Sequence, residues 1–222
     1  MDILRQHEIF EIEILEKMNS AKLLEPIVFG GGTMLRLCHE LNRYSADLDF
    51  WFIRNTSHQK YADHMQQTLE KDYDITDANI KQNTILFELR AARYPKRLKI
   101  EIRRQLKECD YQKTIAFSKF TSKQVLVNAH TLEQTMKNKI DAFLDRGEIR
   151  DCFDIEFLMR RGVSLPDISY STGLKLRKKI SKFKVIDFKV KLGSILEKDV
   201  RDYYVENGFT FLEAKLNALN PS

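Results

Sequence analysis

Apolar residues recur at helical spacing near the start of the chain, where Ile9, Ile12, Ile14, Leu15 and Met18 punctuate the stretch from Ile3 to Met18. That spacing predicts an amphipathic helix packed on a core. Pro26 then interrupts helix, and Ile27-Val28-Phe29 reads as a short buried strand leading into a glycine turn, Gly30-Gly31-Gly32. The amphipathic run from Met34 to Leu41 predicts a second helix. After it, Asp47-Leu48-Asp49-Phe50-Trp51-Phe52 reads as a strand, and because successive strand side chains alternate faces, Asp47 and Asp49 project to the same side. Ser57 stands as a helix cap before Tyr61, Met65 and Leu69, predicting a helix to about Lys71. A hairpin follows, from Thr84 to Arg93 and from Arg97 to Arg104, turning at Tyr94-Pro95-Lys96.

Beyond a short strand at Val125-Leu126-Val127, the pattern turns helical. Thr131 with Gln134 resembles a capping box, opening a helix through Met136, Ile140, Phe143 and Leu144 that stops at Gly147. A second helix runs from about Ile149 to Arg160. Past Pro166 the periodicity predicts helices at Gly173 to Lys182, Phe188 to Tyr204 and Phe209 to Leu219. Strands mixed with helices and then helices alone predict an α/β (α+β) fold: a mixed sheet flanked by helices in residues 1–128, and a helical C-terminal lobe in residues 129–222.

Composition narrows this further. With 8 glycines and 4 prolines in 222 residues, long disordered linkers are not expected. No apolar run is long enough to span a membrane, and the segment Met1 to Glu16 carries Asp2, Glu8, Glu11, Glu13 and Glu16 where a signal peptide would be apolar. A cytoplasmic protein is expected. Cys38, Cys109 and Cys152 are odd in number and far apart, so they read as packing residues; His58 and His64, six apart on one helix, do not face the same way. The net charge of +5 is unevenly spread. Between Arg90 and Lys107 the only acid is Glu101, and between Lys175 and Lys191 the only acid is Asp187. Blocks like these are either solvated faces or the footprint of a polyanionic partner.

The chemistry concentrates in two stretches. Glycines followed by Thr33 at a helix start bring backbone close to a phosphate and aim donors at it. Asp47 and Asp49 on one strand face offer hard oxygen ligands of the kind Mg²⁺ accepts alongside substrate phosphates. On the second hairpin strand Leu98, Ile100 and Ile102 face the core, while Arg97, Lys99, Glu101 and Arg103 face away. Glu101 in this row is either a third metal-binding or general-base carboxylate or a neutraliser of its basic neighbours.

Gly31-Gly32-Thr33 followed by Arg43-x-Ser45-x-Asp47-x-Asp49-Phe50 resembles the signature of the nucleotidyltransferase superfamily, and is similar in detail to its AbiEii or MenT-like type IV toxin branch. A second block, Lys139-Ile140-Asp141-Ala142-Phe143, Arg146 and Arg150-Asp151-x-x-Asp154-Ile155-x-x-Leu158, resembles the toxin family's helical motifs. Glu148 departs from the basic residue some members carry there. The resemblance implies a Mg²⁺- or Mn²⁺-dependent transferase that moves an NMP from an NTP to a hydroxyl. It implies metal ligation by Asp47, Asp49 and a third acid on a neighbouring strand, Glu101 with Glu88 in reserve. Catalytic roles extend to Lys139 and Asp151, and nucleotide contacts to Gly31, Gly32, Thr33, Arg43, Ser45, Lys139 and Arg146. Lys139 and Arg146 stand seven apart, two turns on one helix face, as two phosphate-binding cations would. Arg150 and Asp154, four apart, also have the spacing of a plain intrahelical pair. The family further implies an RNA acceptor, in particular the tRNA 3′ end, and a separately encoded antitoxin. Transfer to a protein hydroxyl uses the same carboxylates, and an inactive basic RNA-binding protein is the rival from outside catalysis.

Overall fold

A computed structural model describes residues 3–106 and 108–218. Lys107 of the first basic block, Leu219 at the end of the last predicted helix, and Met1 and Asp2 at the start lie outside the described residues. The described chain divides into two units. One comprises the residues up to Glu40 together with Tyr44–Thr131; the other comprises Leu41–Arg43 and the residues from Leu132 onward.

The first unit is built on a seven-stranded mixed sheet of order β3-β4-β5-β2-β1-β7-β6. Its strands are β1 (Ile27–Gly30), β2 (Asp47–Phe52), β3 (Asp74–Ile80), β4 (Thr84–Arg90), β5 (Leu98–Arg103), β6 (Tyr111–Phe117) and β7 (Gln124–His130). The central β1 and β2 run antiparallel, whereas β2 lies parallel to β5, and β1 parallel to β7. Alternation is strict where one face is buried. Leu48, Phe50 and Phe52 of β2 and Leu98, Ile100 and Ile102 of β5 are all inside, while the residues between them are more open. β4 and β5 form the expected hairpin. The two strands with no clear sequence pattern, β3 and β6, sit at the sheet's two ends. Edge strands are held by main-chain pairing to one neighbour and need little apolar alternation of their own; β3, Asp-Ile-Thr-Asp-Ala-Asn-Ile, is mostly exposed.

Three helices join this sheet: α1 (Ile3–Ser20), α2 (Gly31–His39) and α3 (His58–Leu69). Ser57 occupies the N-cap position of α3 as expected, but its side chain makes no capping hydrogen bond. The acids of α1 that mark the N-terminal stretch as unlike a signal peptide are not all at the surface. Glu8 is buried, accepting from Arg36 Nε at 2.8 Å and from Ser118 Oγ at 2.6 Å. Glu11 is fully buried with no hydrogen-bond partner for either oxygen, and burial, reinforced by the charges of Glu8 and Asp47, pushes its pKa well above the carboxylate range. His7 donates its Nε2 proton to the Ala46 carbonyl, 2.9 Å away, tying α1 to the approach of β2.

The second unit contains α4 (Leu132–Arg146), α5 (Ile149–Arg160), α6 (Tyr170–Ile180), α7 (Lys198–Asn207) and α8 (Thr210–Asn217). The boundary between α4 and α5 falls at Gly147 and Glu148, as the sequence predicts. The expected continuous helix from Phe188 to Tyr204 is instead broken. A π-helical turn, Asp187–Leu192, passes into a 3₁₀ turn, Gly193–Ile195, and Leu196 is extended and bridges to Arg43 before α7 begins. Periodicity alone cannot register such a break, because the apolar spacing continues across it while the tertiary partner dictates the backbone. Buried Glu156 on α5 gathers neighbouring helices, accepting from Tyr204 Oη at 3.0 Å and from the Leu212 main-chain N–H at 3.1 Å.

Candidate active site

The parallel register of β2 and β5 places Asp47 opposite Lys99 and Asp49 opposite Glu101. All four are on the sheet face opposite the buried Leu48, Phe50 and Ile100, and all four are half-buried. Of the two candidate third acids, Glu101 is therefore the one beside Asp49. Glu88 lies on β4, further from β2, and is occupied by Arg97 and Thr76. Glu101 is itself paired, to Lys99. Among the described residues no three His, Cys, Asp or Glu side chains come together as a ready-made metal-binding group. What the strand presents is a pair, Asp47 and Asp49. Two carboxylates that leave most of an octahedron to phosphates and water form a donor set that fits Mg²⁺.

The glycines frame this pair. Gly30 ends β1 opposite Asp49, and a Cβ there would lie 2.6 Å from the Trp51 ring and 2.7 Å from His130 Nδ1. Gly31 opens α2 with a φ of +75°, and a Cβ on it would lie 2.4 Å from Asp49 Oδ2. The N-terminal turn of α2 thus begins against the Asp49 carboxylate, where helix dipole and free N–H groups favour negative charge. Thr33 is fully buried, and its hydroxyl donates to the main-chain carbonyl of Asp47 at 2.7 Å. The threonine side chain fastens the helix start to the acidic strand, leaving main-chain groups as the donors that α2 offers to a ligand. Ser45 is half-buried, two residues ahead of Asp47.

Gly31→Ala is expected to disable this site more than it destabilises the protein. The left-handed backbone costs an L-residue roughly 1–2 kcal/mol, and the new methyl must also displace Asp49. Where the turn holds phosphate, as the family resemblance implies, the expected result is a tenfold or greater loss of NTP affinity with a melting temperature lowered by only several degrees, read by calorimetric titration and thermal melting.

In the helical unit, Lys139, Arg146 and Arg43 are gathered by two aspartates of α5. Asp151 and Asp154 are three residues apart and share a helix face. Asp151 is buried; it accepts from Arg146 Nε at 2.6 Å and Nη2 at 2.7 Å, and from Lys139 Nζ at 3.3 Å. Asp154 is 0% exposed and takes Arg43 Nε at 2.6 Å and Nη2 at 2.7 Å, with Lys139 Nζ at 2.6 Å. Lys139 is 8% exposed and Arg43 3%. The intrahelical pairing of Asp154 with Arg150 is not what forms: Arg150 is exposed, and Asp154 points into the unit, where two cations already hold it. Burial pushes the Asp154 pKa up, but Arg43 and Lys139 outweigh it and hold the carboxyl below its ordinary value.

Sequence reasoning assigns Asp154 only as part of a motif, and Lys99 only as one of a basic row. The signal for Asp154 was its i, i+3 relation to Asp151 within an otherwise apolar helix face; for Lys99 it was the i, i+2 relation to Glu101.

A family model described as nucleotidyl transferase AbiEii toxin, type IV TA system, matches residues 13–202. No curated protein matches the chain. Among solved structures, JHP933 from Helicobacter pylori is similar over 93% of this chain and 94% of its own, with a TM-score of 0.56 and 19% identity. MenT4, a nucleotidyltransferase toxin from Mycobacterium tuberculosis, is similar over 98% of this chain and 89% of its own, with a TM-score of 0.53 and 14% identity. At these identities the two structures speak for the fold. No helix among the described residues is long and apolar enough to cross a membrane.

Proposed function

Since the chain belongs to the AbiEii nucleotidyl transferase toxin family of type IV toxin–antitoxin systems, and is therefore a nucleotidyltransferase with an NTP substrate and an antitoxin counterpart, we propose that Asp47 and Asp49 are its metal ligands and that its acceptor is an RNA, in particular the tRNA 3′ end. The observation that carries this reading is the placing of both aspartates on one half-buried strand face, with the first turn of α2 starting against Asp49. A bound Mg²⁺ or Mn²⁺ supplies charge neutralisation and polarisation of phosphate oxygens. Main-chain N–H groups of Gly31, Gly32 and Thr33 hold phosphate oxygens, and Lys139 and Arg146 neutralise charge on the triphosphate. The acceptor hydroxyl loses its proton to Glu101 or solvent as its oxygen bonds the α-phosphorus. The bond from that phosphorus to the bridging oxygen breaks, and pyrophosphate leaves. Asp151 holds Arg146 and Lys139 in position. Arg43, held by Asp154, and Ser45 are the further nucleotide contacts in this reading. In this reading residues 1–128 form the catalytic core, residues 129–222 form a helical lobe that carries Lys139, Arg146 and the basic helix α6, and the enzyme works in the cytoplasm.

Incubation with each labelled NTP, Mg²⁺ and total RNA tests the reading directly. Label in tRNA-sized RNA is expected; label only in protein moves the acceptor to a protein hydroxyl.

The basic helix α6 supports an RNA acceptor. Neutralising phosphates with lysine and arginine releases counterions, so RNA binding is expected to weaken with salt at a log–log slope of about −0.7 to −0.9 per phosphate contacted. Converting Arg177, Lys178 and Lys179 to glutamate is expected to flatten that slope and cut tRNA modification at least tenfold, while NTP affinity stays within about twofold. Equal modification by wild type and triple variant across a salt series leaves α6 as solvated surface.

A further inference from the structure

Lys99 stands among the acids of the candidate site. The register of β2 and β5 sets it opposite Asp47, its ammonium pairs with Glu101, and Glu101 is opposite Asp49. As a contribution to stability this pair is small: the lysine side chain is 40% exposed and the glutamate 25%, and solvent screens such pairs. Its electrostatic setting is more unusual. The bond to Glu101 raises the Lys99 pKa; partial burial opposes this, and the charges of Glu101, Asp47 and Asp49 add to the rise. The ammonium thus pairs with Glu101 and stands across the register from Asp47.

We propose that Lys99 is the resident counter-ion of this acidic face and competes with divalent cations for it, so that Glu101 becomes available as a third carboxylate only when Lys99 lets go. The proposal rests on the reading of Asp47 and Asp49 as metal ligands. A protonated lysine offers no lone pair to a metal, and it presents positive charge to the same oxygens a divalent ion needs. Cation binding must overcome both the repulsion and the bond to Glu101. A triphosphate relieves that competition by giving the ammonium another anionic partner, so the site is weak toward free cations and gains affinity when nucleotide is present.

The test is Mn²⁺ binding to the nucleotide-free protein, followed by the electron paramagnetic resonance of free Mn²⁺, in wild type, Lys99→Met, Lys99→Gln, Lys99→Arg, Asp49→Asn and the double variant Lys99→Met/Glu101→Gln. Removing one positive charge a few ångströms from a divalent ion is expected to tighten binding about tenfold in Lys99→Met and Lys99→Gln. Lys99→Arg keeps the charge and is expected to stay near wild type. In the double variant most of the gain is expected to disappear, since the third carboxylate is gone. Wild-type affinity in both neutral variants, with binding still abolished by Asp49→Asn, overturns the role of Lys99 and leaves the metal site standing. Absence of Asp49-dependent Mn²⁺ binding in every variant overturns the metal-site reading itself, and the proposal with it. Two neutral replacements of different polarity guard against a packing artefact, and thermal melts of each variant establish that it is folded.

Discussion

Asp49→Ala is expected to lower nucleotidyl transfer by about a thousandfold or more and to leave the protein folded. Charge stabilisation by a carboxylate-held metal is worth several kcal/mol, and each 1.4 kcal/mol is about tenfold in rate. The structural cost is small because the Asp49 side chain is half-buried. Its favourable position at the start of α2 contributes only about 0.3–1 kcal/mol, offset by relief of repulsion from Asp47. Asp47→Ala is expected to behave alike, since the Thr33 hydroxyl bonds the main-chain carbonyl of Asp47 and survives the substitution. Single-turnover transfer with saturating NTP, alongside thermal melts, measures both effects. Wild-type turnover in a folded Asp49→Ala protein would remove the acidic pair from the mechanism.

The second large effect is on stability. Asp154→Ala is expected to cost about 3–5 kcal/mol, because it leaves the guanidinium of Arg43 and the ammonium of Lys139 buried without their main partner. That is a large share of the roughly 5–15 kcal/mol that holds a typical domain together. Arg150→Ala, at an exposed side chain with no ion pair among the described residues, is expected to change stability by less than about 0.5 kcal/mol. The pH dependence follows from the same cluster. With its carboxyl held below its ordinary value in the folded protein, Asp154 binds a proton more readily when unfolded. Its contribution is therefore complete above the ordinary aspartate pKa, near 4, and is lost as pH falls from there through the depressed folded value. Urea denaturation from pH 7 down to acid is expected to show a steep loss of wild-type stability in that window and a shallower one in Asp154→Ala. Equal slopes would mean that another group governs acid unfolding.

The local parts of the fold follow from local sequence. The order of β1, α2 and β2, the β4–β5 hairpin and the α4–α5 pair all rest on periodicity, Gly147 and the turn at Pro95. The acidic pair is equally local, since a two-residue spacing on a strand puts Asp47 and Asp49 on one face whatever surrounds them. The edge strands β3 and β6 do not follow in this way, because they exist by main-chain pairing to β4 and β7 and carry little apolar pattern. Nor does the break between Phe188 and Tyr204, where Leu196 bridges to Arg43, a residue remote in sequence. The charge partners are the clearest case. Asp154 holds Arg43 across 111 residues, and buried Glu8 takes Ser118 across 110. Lys99 comes to Asp47 only because β5 lies parallel to β2 in one register. Side-chain type and spacing state which groups can bond, and short-range geometry selects among near neighbours. Which distant cation reaches a buried carboxylate is settled by packing, where leaving either charge unpaired costs several kcal/mol.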